Sequence, residues 1–310
     1  MHNSTVSRRR FMQQGATLLG GALFAPSFFD LDFESKKRES HTCLQLYSVR
    51  DAMKADPKGT LEQLAKMGFK ELEPASYIYP GVYFTRKIYN YSSKEFRKIT
   101  DDLGFKIPSS HVVFSMKHWD AAKNDMEDVW KFVMEDALNL GQKYIISPWF
   151  DADHKNLDAV KKGLEVYNKV GEIVHKAGLR FGFHNHHQEF IQKFGDDYLY
   201  DIMLDNLDLK YVCQQFDIGN LAVAKVDPMR WLKKYPKHFE LMHVKDKDKN
   251  KDESTWLGEG SINLTEVLAY ARKKTNITHW VLEQESYGDK TALESVKINL
   301  DVFQNKFKFK

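Results

Sequence analysis

Residues 177–190, AGLRFGFHNHHQEF, carry the pattern that decides the fold. A helical segment stops at Gly178, an apolar run follows at 179–183, and His184 stands where that run ends. Glycine often closes a helix because it adopts the left-handed backbone at no steric cost. The same helix stop before an apolar run recurs at Gly68 and Gly104. This repeated order indicates helix–strand units in which strands deliver polar side chains at their carboxyl ends.

Eight short β-type runs alternate with amphipathic segments along the chain. They are CLQLYSV (43–49), KELEPA (70–75), KIPSSHVV (106–113), YIISPWF (144–150), LRFGFHN (179–185), YVCQQFDI (211–218), FELMHVK (239–245) and HWVLEQE (279–285). Strands that alternate with helices predict a parallel sheet. The roughly 270 residues after Ser40 match one (β/α)8 TIM barrel, for which roughly 250 residues are usual. We therefore predict a single α/β barrel domain over 42–310.

The first thirty residues are predicted to be an export signal, and residues 31–41 a linker. Three arginines, Arg8 to Arg10, precede the apolar stretch GATLLGGALFAPSFF at 15–29. Adjacent arginines before an apolar stretch look like a twin-arginine export signal. The expected location is therefore outside the cytoplasm, most simply the periplasm. An uncleaved amphipathic anchor is the alternative. No later stretch approaches the roughly 20 apolar residues of a membrane span, so the mature chain is not expected to insert.

The net charge bears on nucleic-acid binding, and the positions of the two cysteines bear on disulfide formation. The formal net charge of +3 falls to +1 without residues 1–30, which hold three arginines and one aspartate. A nucleic-acid binder carries a basic surface, so no nucleic-acid partner is expected. Both cysteines, Cys43 and Cys213, lie inside apolar runs. They are predicted to be buried strand residues and not a disulfide or a CxxC site.

Three consecutive strand ends carry metal-ligand residue types: Asp217, His243 and Glu283. Carboxylate oxygen and imidazole nitrogen suit a divalent cation, and the strand ends of a barrel meet at one face. His184 is the natural fourth ligand. His186 lies on the same side of its strand by alternation, close enough for substrate contact or proton transfer. A structural role for Glu189 and a functional one stay equally open, and His187 is expected to be a loop residue.

Other polar residues point to the same mouth. His111 ends the third strand and is predicted to bind substrate. Glu73 and Lys245 are charged residues within apolar runs, where burial requires a partner or a role. Lys245 is either an acid or base, or the partner of Asp246 or Glu283 in an ion pair. The long segments at 77–91, 114–123 and 247–256 would lie on this face, and the aromatic residues of the first suit sugar stacking or their own packing.

With these residues in view, the chain resembles the xylose isomerase-like TIM barrel superfamily of sugar phosphate isomerases and epimerases, which also includes inosose dehydratases. The matching motifs are LQLYSVRD, GFKELEPASY, SSHV, GFHNHHQEF, QFDIGN, HVKD, LGEGSIN and WVLEQE. They run from Leu44 to Glu285 in the order of the family. The likeness therefore covers nearly the whole predicted barrel.

The resemblance implies a mononuclear metal site. The ligands would be His184, Asp217, His243 and Glu283, and the cation Mn, Zn, Co or Mg. Many members have glutamate where this chain has His184, which leaves the acid and base assignment open. The implied catalytic residues are Glu283, His186 and Lys245. The implied substrate-binding residues are Glu73, His111, Gln45 and Tyr47.

The resemblance also implies chemistry at a carbon next to a carbonyl, through an enediolate. A metal-dependent sugar isomerase or epimerase is the leading prediction. An exported 3-keto-glycoside lyase or dehydratase of the same fold is the first alternative. A non-catalytic carbohydrate-binding barrel is the second. No phosphate-cradling glycine-rich loop is apparent, so an unphosphorylated sugar or sugar derivative is the expected small-molecule partner.

Overall fold

The computed structural model describes residues 40–75 and 86–309 of the chain. The predicted export signal, nearly all of the predicted linker and residues 77–85 of the aromatic segment lie outside the described residues. Those predictions therefore stay predictions. Within the described residues, no helix combines the length and the apolar character needed to cross a membrane.

Eight parallel strands of the described residues form the barrel, one from each of the eight predicted runs. They are β1 His41–Gln45, β2 Glu71–Glu73, β3 Ser109–His111, β4 Tyr144–Ser147, β5 Arg180–His184, β6 Val212–Asp217, β7 Phe239–Val244 and β8 His279–Leu282. Each strand pairs with its neighbour in sequence except β2 and β3, and β8 pairs with β1. A parallel bridge between Glu71 and Lys106 brings β2 next to the chain entering β3. The predicted TIM barrel is confirmed.

Ten α-helices of the described part surround the strands. They are α1 Arg50–Ala55, α2 Pro57–Met67, α3 Ser93–Asp102, α4 Asp128–Leu140, α5 Leu157–Lys176, α6 Leu199–Asn206, α7 Ile218–Val223, α8 Met229–Lys234, α9 Leu264–Lys274 and α10 Ala292–Asn305. Side chains cap two of these helices: Asp56 accepts from Gly59 N, and Ser92 makes a capping box with Glu95. Gly68, Gly104 and Gly178 all have positive φ, as their place before the next strand predicts.

The interior of the barrel is apolar at mid-height and polar at both ends. Its middle is filled by a separate buried cluster: Tyr144, Ile146, Cys213 and Leu241. Gly182 faces this cluster, and a Cβ there would lie 2.5 Å from Ile146 Cδ1 and 2.9 Å from Cys213 Sγ. A side chain at 182 would therefore overfill the middle of the barrel. Cys43 and Cys213 are both buried and free, as predicted.

The loops after the strands are partly ordered by short elements. The segment after β3 contains a 3-10 turn, Met116–His118, and a two-stranded hairpin of Trp119–Asp120 with Asp125–Met126. After β7, Asp246–Lys247 pairs with Ser254–Thr255. These loops lie at the carboxyl ends of the strands, the face on which barrel enzymes place their active sites.

Candidate active site

Polar side chains from five strand ends converge at the carboxyl-terminal mouth. His111, His184 and His243 bring their ring nitrogens within 4.8 Å of one another, and ligand atoms of Asp217, His243 and Glu283 do the same. In addition, His184 Nε2 lies 3.7 Å from Asp217 Oδ2. The four predicted metal ligands therefore form one cluster, as parallel strands of a closed barrel allow.

Glu73 is the buried centre of the network beneath the mouth. Its side chain is 0% exposed, and among the described residues its oxygens contact Gln45, Ser109, Gln215, His243 and His111. The distances from its oxygens to Gln45 Nε2, Gln215 Nε2 and His243 Nε2 are each 2.8 Å. Burial alone would raise the pKa of Glu73, but His111 and His243 outweigh it and lower the pKa to about 2. Glu73 is therefore a fixed negative charge.

His243 lies between two carboxylates. Its Nε2 is 2.8 Å from Glu73 Oε1 and its Nδ1 is 3.0 Å from Glu283 Oε2. Burial favours the neutral ring, but Glu283 and Glu73 overcome that effect and raise the pKa of His243 to about 10. In this arrangement the imidazolium donates to both carboxylates, and it joins the metal-ligand cluster to Glu73.

Lys245 is a buried cation at the wall of the mouth. Its Nζ lies 2.9 Å from Asp217 Oδ2, 3.0 Å from Glu283 Oε2 and 2.9 Å from Glu285 Oε1. Burial opposes the charge, but Asp217, Glu283 and Glu285 hold the pKa of Lys245 well above its usual value. Of the two predicted ion-pair partners, Glu283 is correct and Asp246 is wrong.

Asp246 points away from Lys245 and anchors the next loop instead. Its carboxylate accepts hydrogen bonds from the backbone amides of Gly258 at 2.9 Å, Gly260 at 3.1 Å and Ile262 at 3.3 Å. A Cβ at position 260 would lie 2.1 Å from the Asp246 carboxylate. The LGEGSIN motif is thus a backbone cradle for one carboxylate.

Two asparagines hold Asp217 in place. Asn185 bonds both backbone groups of Asp217, at 3.0 and 3.1 Å, and Asn220 N donates to Asp217 Oδ1 at 2.7 Å. Asn220 Nδ2 in turn donates to Asn185 O at 3.1 Å. The first oxygen of Asp217 therefore caps α7, and the second is directed to Lys245 and the histidines.

Burial lowers the pKa of three other histidines of the mouth. Burial lowers the pKa of His111, and burial together with His243 and His111 holds the pKa of His184 well below its usual value. Burial and the charge of Lys245 lower the pKa of His186 to about 3. Neutral imidazole has a free lone pair, which can accept a proton or bind a metal.

The mouth opens into a cavity of about 420 Å³. The predicted site residues that line it are Tyr47, His111, His184, His186, Lys245 and Glu283. Gln45, Glu73, Asp217 and His243 are each 0% exposed and form the layer beneath. Gln45 accepts from Tyr47 N at 3.1 Å and donates to Glu73, so its contacts support the mouth from below. Among these ten residues, Gln45 and Glu73 are the predicted substrate-binding residues that do not reach the cavity wall.

Residues near the predicted set take structural positions. His187 lies outside any helix or strand, as predicted, and lines the cavity. Glu189 is buried, and its carboxylate accepts from His186 N at 2.9 Å. Glu189 therefore fixes the backbone that carries His186. This contact favours the structural reading of Glu189.

Sequence reasoning missed Gln215. Its Oε1 lies 2.6 Å from His111 Nε2 and 3.0 Å from His184 Nδ1, while its Nε2 donates to Glu73. It therefore orients two histidines that lie on different strands. The signal was present, because Gln215 is two residues before Asp217 on β6 and shares its inward face.

The ligand set fits a divalent cation. Asp217 Oδ2 is buried and joins the Lys245 ion pair, but it accepts no well-directed hydrogen bond among the described residues. Imidazole nitrogens and carboxylate oxygens from His184, Asp217, His243 and Glu283 are the donors that Zn²⁺ or Mn²⁺ takes. These four residues are the ones that would hold the ion, and His243 would have to release one of the two protons with which it bonds Glu73 and Glu283.

A barrel with a polar site at the carboxyl ends of its strands has the arrangement typical of TIM-barrel enzymes. The family profile described as xylose isomerase-like TIM barrel matches residues 61–306. The chain belongs to the xylose isomerase-like TIM barrel family.

Named relatives give a first view of the range of functions. An inosose dehydratase from Lactiplantibacillus plantarum is 34% identical over 99 residues, 32% of this chain and 31% of that protein. The match thus spans about a third of that relative. A solved sugar phosphate isomerase/epimerase from Parabacteroides distasonis is 27% identical, with a TM-score of 0.73 over 87% of this chain and 98% of that one.

A further solved structure carries a metal ion. The IOLI protein with a bound zinc atom is 16% identical, with a TM-score of 0.67 over 86% of this chain and 98% of that one. At this identity the likeness shows the fold alone.

Proposed function

We propose that the protein catalyses a β-elimination on a sugar derivative that carries a carbonyl group, as a lyase or dehydratase. One observation carries this proposal: the same cavity wall presents the imidazole of His186, whose Nδ1 has no hydrogen-bond partner among the described residues, and the ammonium group of Lys245. An imidazole can accept a proton and an ammonium group can donate one. An elimination needs one of each.

The proposed reaction balances without an oxidant or reductant. His186 accepts the proton from the carbon next to the carbonyl, and the electron pair of that C–H bond forms a C=C bond. The C–O bond at the neighbouring carbon breaks, and Lys245 Nζ protonates the departing oxygen. The products are an unsaturated carbonyl sugar and an alcohol or water, and solvent returns the proton from His186 to Lys245.

The buried carboxylates support these roles. Glu283 and Glu285 hold Lys245 in its protonated form, and Glu73 and Glu283 fix His243. A divalent cation at His184, Asp217, His243 and Glu283 would supply a Lewis acid that stabilises negative charge on the substrate oxygens. The zinc of the IOLI protein and the dehydratase activity named for the curated relative are in line with this proposal.

A sugar isomerase or epimerase is the second candidate. The 27% identity to a solved sugar phosphate isomerase/epimerase favours it. Epimerisation needs a proton-transfer group on each face of the substrate carbon. Where many members of the family have a carboxylate that can serve as the second proton-transfer group, this chain has His184, whose pKa lies well below the ordinary value. The missing carboxylate favours elimination over epimerisation.

Product analysis separates the candidates. Purified protein is incubated in D2O, with and without Mn²⁺, with a 3-keto-glycoside and with a free keto sugar. We expect release of the alcohol and an unsaturated keto sugar, with a loss of about 10²-fold or more in His186→Ala and Lys245→Gln, the usual range for an acid or base. Leu138→Ala, at an exposed position of α4, is the control and keeps full activity.

The other outcomes identify the alternatives. Deuterium incorporation with a new epimer or isomer, and no released alcohol, would establish the isomerase or epimerase reading. Sugar binding with neither product, under all metal conditions, would establish a carbohydrate-binding barrel. Either result contradicts the elimination.

A further inference from the structure

Trp149 is a large aromatic residue on a fixed backbone at the rim of the cavity. Its side chain is 46% exposed although it lies only two residues after β4. Its backbone carbonyl accepts from Ser147 Oγ at 2.7 Å and from Tyr167 Oη at 2.6 Å, and both of those side chains are buried. The indole is therefore presented to solvent on a fixed backbone. A preformed surface of this kind loses little conformational freedom when it binds.

The indole stands beside the proposed base. The ring centroids of Trp149 and His186 are 5.2 Å apart, with the ring planes at 58°. Both Pro148, the preceding residue, and His186 line the cavity. A group that leaves the reacting carbon toward the solvent on this side would meet the indole.

A second exposed ring stands on another side of the mouth. Tyr47 is 42% exposed and lines the cavity. It follows β1, three strands away from β4 in the ring of eight. The guanidinium of Arg50 lies 4.7 Å from the centre of the Tyr47 ring and donates to Tyr47 O at 3.2 Å and Tyr287 Oη at 2.8 Å. Tyr47 is thus also held in place by Arg50, through a cation–π contact and one hydrogen bond, and Arg50 is itself anchored on Tyr287.

Exposed, immobilised aromatic rings at a polar mouth are suited to the flat faces of ring-shaped ligands. The charged layer around Glu73 and Lys245 lies deeper, and the aromatic surface lies at the rim. We propose that the rim at Trp149 is a subsite for the leaving group, and that the substrate is a glycoside whose leaving group contains a ring. The ring is a second sugar or an aromatic alcohol.

This inference rests on the proposed elimination, because only that reaction gives the substrate a leaving group. Its test measures binding alone. Three probes share one sugar and differ in the attached group: methyl β-glucoside, phenyl β-glucoside and methyl β-cellobioside. They carry no ketone and so cannot undergo the proposed chemistry. Their dissociation constants are measured by titration calorimetry with the full barrel.

We expect wild-type protein to bind at least one ring-bearing probe about three- to tenfold more tightly than methyl β-glucoside, the range that an aromatic contact contributes. The phenyl and cellobioside arms distinguish an aromatic from a sugar leaving group. Trp149→Ala removes the preference without changing the methyl β-glucoside constant, and Trp149→Phe keeps part of it. Leu138→Ala, which also truncates an exposed apolar side chain, retains the preference.

Two results would overturn the subsite: equal dissociation constants for all three probes in wild-type protein, or a preference that survives in Trp149→Ala. Thermal unfolding checks that each variant is folded. Failure of the subsite differs from failure of the proposed function. If both proposals hold, Lys245→Gln loses elimination but keeps the probe preference. If wild-type protein shows the preference but no elimination, the subsite is correct and the proposed function is wrong.

Discussion

At the scale of single residues, the position of Lys245 depends on Gly219. A Cβ at position 219 would lie 2.8 Å from Lys245 Cγ and 3.0 Å from its Cβ and Cε. Lys245 cannot simply move, because its ammonium group is held by three carboxylates. The glycine of the DIGN motif therefore makes room for the stem of the lysine.

Gly219→Ala is expected to reduce the free energy of unfolding by about 1–2 kcal/mol. Alanine gains at most about 1 kcal/mol of helix propensity in α7, whereas overpacking a buried contact costs about 1–3 kcal/mol. Urea denaturation measures the change. In a Lys245→Ala background Cγ and Cε are gone and only the Cβ at 3.0 Å remains, so the same substitution should cost clearly less.

This double-mutant cycle isolates the contact. An equal loss in both backgrounds would mean that Gly219 acts through its own backbone, and the proposed dependence of Lys245 on it would be wrong. The cycle measures stability and so does not depend on the reaction.

Residue-level prediction from the sequence succeeded where strand alternation applied and failed where loops decide. His184 and His186 meet at the mouth as alternation predicts, with ring centroids 5.1 Å apart. Asp246 was one of two predicted ion-pair partners of Lys245, yet its carboxylate faces the loop around Gly258, twelve residues later in the chain. That loop is closed by tertiary contacts to Gly258 and Gly260, which no local pattern encodes.

At the scale of elements, the 3-10 turn Gln188–Phe190 supports His186 from below through Glu189. Burial raises the pKa of Glu189 to about 8 from an ordinary value of 4.5. Between these two pH values the folded protein keeps a proton that the unfolded chain has lost. The free energy of unfolding must therefore fall as pH rises through this window.

Glu189→Gln should weaken this pH dependence, because glutamine does not titrate and keeps an oxygen for His186 N. Each unit of pKa shift corresponds to about 1.4 kcal/mol, so the wild-type loss between pH 5 and pH 8.5 should exceed that of the variant by a few kcal/mol. Urea denaturation at the two pH values gives both losses.

Glu165→Gln, at an exposed position of α5, is the matched control and should follow wild type. Parallel stability curves for wild type and Glu189→Gln would mean that Glu189 is ionised in the folded protein. The turn would then be held by a charged carboxylate.

Element existence was predictable, and element ends were less so. The run YIISPWF predicted a strand over 144–150, whereas β4 ends at Ser147. Pro148 has no N–H to continue the ladder, and the chain turns outward there to present Trp149. The same shortening occurs at β3, where 106–113 was predicted and Ser109–His111 forms. Residues that continue in an extended conformation after a strand have the same composition as the strand, so the sequence does not mark where the strand ends.

At the scale of the whole molecule, the repeated helix–strand order fixes the barrel, but the site requires the closed sheet. Glu73 and His243 are 170 positions apart in sequence, yet Glu73 Oε1 lies 2.8 Å from His243 Nε2. Their meeting depends on the pairing of β8 with β1 and on the relative height of each strand. Composition and periodicity do not give the relative height of the strands. Glu73 was therefore predicted to bind substrate, whereas it lies buried beneath the cavity.

The same closure lets one cation act on the stability of the whole barrel. The four proposed ligands come from β5, β6, β7 and the residue after β8, so unfolding would release a bound ion. A ligand that binds only the folded state adds about 2.7 kcal/mol at a hundred times its dissociation constant. For a domain of this size, that gain corresponds to roughly 5–10 °C in Tm.

Mn²⁺ or Zn²⁺ added to metal-stripped protein is therefore expected to raise Tm by several degrees, and EDTA to reverse the rise, as scanning fluorimetry would record. Asp217→Asn should abolish the effect. His279→Ala is the control, because His279 belongs to a second group of ligand types, with His41 and Glu71, at the opposite mouth. A rise that persists in Asp217→Asn but disappears in His279→Ala would place the cation at that end and contradict the proposed ligands.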